Sequence, residues 1–154
     1  MSPIRLAALA LVAALALPAA AAPMSWATAR NACDVLSEAS AKKLLGADAH
    51  LTRKAQPNPH MSQCQYTGGN GQITVMTGDW RMVHTHNPAD KAVAGLGDEA
   101  YQAPGGLFVR KGKVGMSINV MAASGEFWGK AADSIEAQTV AAERKTALEL
   151  LPHL

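Results

Sequence analysis

Three rhythms of apolar residues run along the chain. Residues 6–17 are an unbroken apolar stretch. Residues 63–66, 72–77 and 114–121 alternate with a period of two, the pattern of half-buried strands. Cys64 and Tyr66 fall on one face of the first, and Ile73 and Val75 on one face of the second. In the third, Val114, Met116, Ile118 and Val120 lie on one side, with Gly115, Ser117 and Asn119 on the other. Residues 36–46 instead space Ala41, Leu44 and Leu45 as a helical stripe. Ser37 stands where an N-cap belongs, and Glu38 near the positive end of the dipole. Leu36 and Ala41 occupy hydrophobic-staple positions, and Gly46 can close the helix in the left-handed conformation. A second helix is predicted over 135–151. There Ala137, Ala141, Leu148 and Leu151 lie near one stripe with Val140 beside it, Arg144 would have to snorkel out of it, and Pro152 ends it.

The connections follow from turn chemistry. Gly68-Gly69-Asn70-Gly71 joins the first two strands as a hairpin. Residues 50–54, 100–102 and 107–110 read as shorter strands, the last joined to 114–121 through Lys111-Gly112-Lys113. Prolines mark residues 56–60 as a loop, and Asn87-Pro88 reads as the cap of a short helix through Val93 that Gly95-Leu96-Gly97 breaks. The elements add up to one α+β domain, an antiparallel sheet with helices packed on one face.

The apolar stretch at 6–17 belongs to a different device. It follows a single positive charge, Arg5, and precedes Pro18 and the small-residue tract 19–22. That is the layout of a cleavable signal peptide over residues 1–22, with cleavage after Ala21 or Ala22 and Pro23 favouring Ala21. At about 12 residues the run falls short of the about 20 that span a bilayer. Lipidation is set aside, because the first cysteine, Cys33, lies too far downstream. The domain is then residues 23–154, a length suited to one core, exported to the periplasm or the medium.

Export changes the reading of the two cysteines. Cys33 and Cys64 are expected to form one disulfide, closing a loop of about 30 residues and contributing roughly 3–4 kcal/mol. Removing Arg5 with the leader takes Lys+Arg from 14 to 13 against 12 acids. A chain so near neutrality, without a basic block, lacks the footprint of a nucleic-acid binder or a polybasic membrane patch. No later stretch is long and apolar enough to span a membrane.

Several short motifs travel together. Cys33-Asp34-Val35-Leu36-Ser37 opens a helix that closes with Leu44-Leu45-Gly46. Cys64-Gln65-Tyr66 starts a strand, and Gly95-Leu96-Gly97-Asp98-Glu99-Ala100-Tyr101 precedes a hairpin ending in a valine-rich strand. This resembles a group of small exported bacterial domains of unassigned function, many of them actinobacterial lipoproteins. The likeness covers most of the chain after residue 22. It implies the disulfide and an α+β sheet, and it carries over no catalytic residue. The missing lipid-attachment cysteine removes the membrane tether of those lipoproteins.

Candidate chemistry is sparse. In an extended segment His84 and His86 point the same way, and His60 with Met61 supplies further donors, a set that would suit copper or zinc. Asp98 and Glu99 are neighbours on opposite faces and cannot share a proton. Asp79 has no Ser or Cys nucleophile to serve, and the glycines at 68–71 open a strand rather than a phosphate-binding helix. Phe127 and Trp128, flanked by glycines, and Trp80 are the aromatic side chains placed for contact with a ligand or partner. The sequence therefore predicts a non-enzymatic exported domain, without a cofactor, that binds a protein, an envelope component or a small ligand. A metal-binding protein using His84 and His86 is the alternative. Intact mass of the exported protein should place its first residue at Ala22 or Pro23. Retention of residues 1–21 in a membrane fraction would contradict the leader.

Overall fold

The computed structural model describes residues 26–122 and 132–154, the last segment without side chains for 132–136. The predicted signal peptide and the Phe127–Trp128 pair lie outside the described residues. In chain order the elements are α1 (Ala32–Val35), α2 (Glu38–Leu45), β1 (His50–Asn58), β2 (Met61–Gly68), β3 (Gly71–Asp79), α3 (Trp80–Val83), β4 (Lys91–Ala92), β5 (Glu99–Ala103), β6 (Gly106–Lys111), β7 (Val114–Ala122) and α4 (Ala132–Leu150). A 3₁₀ turn, Leu151–His153, follows. The seven strands form one antiparallel sheet in the order β1-β2-β3-β7-β6-β5-β4. Two meanders, β1–β3 and β4–β7, are thus joined through the central β3–β7 pair.

The alternation read from the sequence sets which face is buried. Cys64, Tyr66, Ile73, Val75, Leu107, Val109, Met116 and Ile118 are all buried. Val35, Ala41 and Leu45 from the first two helices, Leu36 between them, and Ala147 and Leu150 from α4 join them in one core. Ser37 caps α2 as expected, its Oγ accepting from Ser40 N, and Gly46 follows the helix at φ +106°. The Cys33–Cys64 disulfide fastens α1 to β2. Near it Ala32 N donates to Ser62 Oγ at 2.9 Å, and Thr77 Oγ1 donates to Arg30 O. Among the described residues no helix is long and apolar enough to cross a membrane.

Four details differ from the expectation. The proline-marked residues 56–58 continue β1, because β1 is an edge strand and its outer side needs no N–H from Pro57. Asn87-Pro88 starts a turn rather than a helix. Asp90 N donates to Asn87 O, Asn87 Oδ1 takes Ala89 N, and the chain passes straight into β4. The single turn α3 went unpredicted. Asp79 Oδ1 caps it through Arg81 N, and it packs on the face of the sheet opposite the other helices, over Gly78 and Gly115.

The fourth difference matters most. The buried stripe of α4 is Glu143, Thr146, Ala147 and Leu150, whereas Ala137 and Ala141 are exposed and Leu148 is 54% exposed. The helix is rotated by about one residue, roughly 100°, from the predicted stripe. Arg144 consequently stands in solvent and donates to Ala94 O. Alanines constrain the rotation of a helix weakly, and two polar side chains took the inward positions.

Replacing Cys33 and Cys64 together with alanine should lower unfolding stability by about 2–5 kcal/mol. Denaturant midpoints of the two proteins check this. An unchanged midpoint would mean that the Ser62 and Thr77 contacts hold α1 without the bridge.

Candidate functional site

Two polar assemblies stand out, one on each face of the sheet. The first is built around His84. Capped by Asp79, α3 turns the chain back over β3 and β7, and Trp80 settles on Gly115, where a Cβ would lie 2.8 Å from the indole. His84 then packs against both Trp80 (4.7 Å) and Tyr101 (5.0 Å, rings 2° from parallel), which lie 6.4 Å from each other, with Phe108 at 5.1 Å. Its Nε2 lies 3.0 Å from Asp90 Oδ2. The hydrogen bond from Asn87 N, with His84 beside it, holds the Asp90 carboxyl below its ordinary range. Tyr101 hydrogen-bonds Glu99, which keeps that carboxyl low as well, and Arg110 Nε reaches Glu99 at 2.8 Å. The arrangement closes the β3–α3–β4 crossover onto the sheet.

This geometry bears on the predicted metal ligands. His84 is buried, and its ring meets His86 edge-on at 6.2 Å. His60 packs at a tilt against Trp26, ring centroids 5.8 Å apart, and Met61 lies beside Gly78. The structure therefore brings His84 and His86 together but sends His60 to a different neighbour. No group of three His, Cys, Asp or Glu side chains that could hold one ion occurs among the described residues. Trp80, predicted as a contact residue, is half-buried in the aromatic stack.

The second assembly was not foreseen. β7 runs past the end of β6: the pairing of the two ends at Leu107 with Ile118, and β6 begins one residue earlier, at Gly106. Val120 lies beyond that end, and its N–H points instead to Glu143 Oε1 of α4, at 3.4 Å. Gln102 of β5 donates from Nε2 to Glu143 Oε2 at 2.7 Å. Glu143 is only 1% exposed, and burial pushes its carboxyl above the ordinary range. Gln102 Oε1 is buried and has no hydrogen-bond partner. Rotating the amide would set its oxygen against Oε2 of an ionised Glu143, acceptor against acceptor, so the carboxylate keeps Nε2 toward itself and Oε1 is the unpaired end.

Above these groups opens a cleft of about 430 Å³ between α4 and the β5–β6 turn, lined by Gln102, Glu143, Asn119 and Thr139 together with apolar Ala103 and Val140. The volume lies in the range of about 300–1,000 Å³ typical of small-molecule sites. A few polar groups gathered at the base of a partly apolar wall fit a site that orients a ligand. The sequence held one faint sign of it. Gln102 shares its strand phase with buried Ala100, a polar residue at a core position.

No family model, no curated protein and no solved structure matches the chain.

Truncating the two histidines should have unequal effects. His84→Ala leaves Asp90 buried without its side-chain partner and empties the stack, at a cost of about 1–3 kcal/mol. His86→Ala, at an exposed position, should stay within about 0.5 kcal/mol. Chemical unfolding of the two variants decides this, and equal small losses would show that the stack contributes nothing.

Proposed function

We propose that this chain is an exported, non-enzymatic binding domain whose ligand is a small molecule held in the cleft between α4 and the β5–β6 turn. The observation that carries the reading is Glu143, a carboxylate buried to 1% exposure at the base of that cleft beside a glutamine with an unpaired oxygen. Buried polar groups without partners cost stability, and they concentrate where a ligand completes them. Export is supported by the leader pattern of residues 1–22, and the Cys33–Cys64 bridge suits an oxidising compartment. A small ligand is favoured over a protein partner because the polar groups converge at the bottom of a concavity and not on a flat surface.

The test is native mass spectrometry of residues 23–154 after incubation with a dialysable cell extract. The protein should carry a discrete low-mass adduct. Thr139→Trp, which fills the cleft from an α4 position at its wall, should lose the adduct while melting near the wild-type temperature. No adduct, or the same adduct on both proteins, would contradict the reading.

A further inference from the structure

We infer that the group anchored at the base of this cleft is a protonated amine, with Glu143 as its counter-ion and Gln102 Oε1 as its second acceptor. The inference rests on the reading that the cleft takes a small ligand, and it specifies the chemistry of that ligand.

The argument is a census of donors and acceptors. An ionised carboxylate offers about four lone-pair sites. Glu143 receives one bond on each oxygen, from Gln102 Nε2 at 2.7 Å and from Val120 N at a long 3.4 Å. About half its accepting capacity is unused, and Gln102 Oε1 accepts nothing. The base of the cleft is therefore rich in acceptors, and its complement is a group that only donates. An ammonium has three donors and no acceptor. A carboxylate or phosphate would instead meet Glu143 with like charge.

Charge leads to the same group. A buried carboxylate is tolerated at low cost only when a cation pairs with it. Among the described residues Glu143 has no ion-pair partner. Burial accordingly pushes its carboxyl up, and a bound cation would restore the ionised form. The cationic side chains nearby are Lys91, on exposed β4 at the cleft wall, and Arg144, one residue along α4 and turned to Ala94 O. Lys91 has an interaction of its own, both residues are exposed, and screening at exposed positions weakens their repulsion of an incoming amine.

Three probes of similar size separate the terms. Propylammonium chloride supplies charge and N–H donors, tetramethylammonium chloride supplies charge alone, and 1-propanol supplies a donor without charge. Each is titrated into residues 23–154 while the amide signals of Val120, Asn119 and the Gln102 side chain are followed by NMR. Propylammonium should move these signals saturably. 1-Propanol should bind at least about thirty-fold more weakly, the factor that loss of one member of a buried charge pair carries. Tetramethylammonium, which lacks the N–H donors, should also bind more weakly than propylammonium. Glu143→Gln, nearly isosteric, should weaken propylammonium by a similar factor. Gln102→Met, which removes the second acceptor and leaves the carboxylate, should weaken it less.

Saturable shifts from 1-propanol that equal those from propylammonium would overturn the amine and leave the cleft as a neutral-ligand site. Equal binding of tetramethylammonium would overturn the need for N–H donors. Propylammonium shifts that survive Glu143→Gln would overturn the counter-ion. If none of the probes moves the cleft signals, the amine inference fails, and the adduct experiment judges the cleft on its own.

Discussion

The β3–β7 ladder is the interaction on which the rest of the structure depends. Nine residue pairs, from Gly71 with Ala122 to Asp79 with Val114, join the two meanders into one sheet. The strand lengths are unequal, and that inequality creates the candidate site. β7 must run its full length to pair with β3, while β6 begins only at Gly106. The overhang leaves Val120 N–H, at a half-buried position, without a strand to accept it. Glu143 supplies the acceptor. The space that a longer β5–β6 hairpin would have filled is the cleft.

Accepting one backbone N–H does not require a charge. A glutamine at position 143 could take the same bond with its side-chain oxygen and offer an amide to Gln102, without the cost of burying a carboxylate. Structural demands alone therefore favour the neutral residue. Where local economy and the residue present disagree, function is the usual reason. The His84 assembly is the contrast. It too is buried and polar, but His84 Nε2, Asp90, Tyr101, Glu99 and Arg110 all have partners, and it closes a crossover.

Much of the fold was legible in the sequence because most elements obey a single rhythm. The period-two strands, the capped α2 and the disulfide pair are where the residue pattern put them. Where the pattern failed, a local interaction outweighed it. Asp79 capped a turn that no hydrophobic spacing announces, and Asn87 with Asp90 folded a turn where proline suggested a helix. The rotation of α4 hid the candidate site, since a search for apolar stripes discards a helix face centred on Glu143 and Thr146. The aromatic and histidine residues that looked most like chemistry, Trp80 and His84, lie instead in a packed and hydrogen-bonded stack. A polar residue in phase with the core, as Gln102 is, proved the better guide.

The central claim is that Glu143 is kept at the expense of the free protein's stability. The most direct test compares unfolding free energies of wild type and Glu143→Gln from about pH 4 to pH 8. Burial raises the folded-state pKa above the ordinary carboxyl value of 4.5. The neutral acid therefore supports the fold below the unfolded value, and that support is lost as pH rises through the folded one. The account predicts that Glu143→Gln is the more stable protein at the alkaline end, with the difference shrinking as wild-type Glu143 takes up its proton. A variant that is less stable at the alkaline end, or a difference that ignores pH, would show that the carboxylate serves the fold itself.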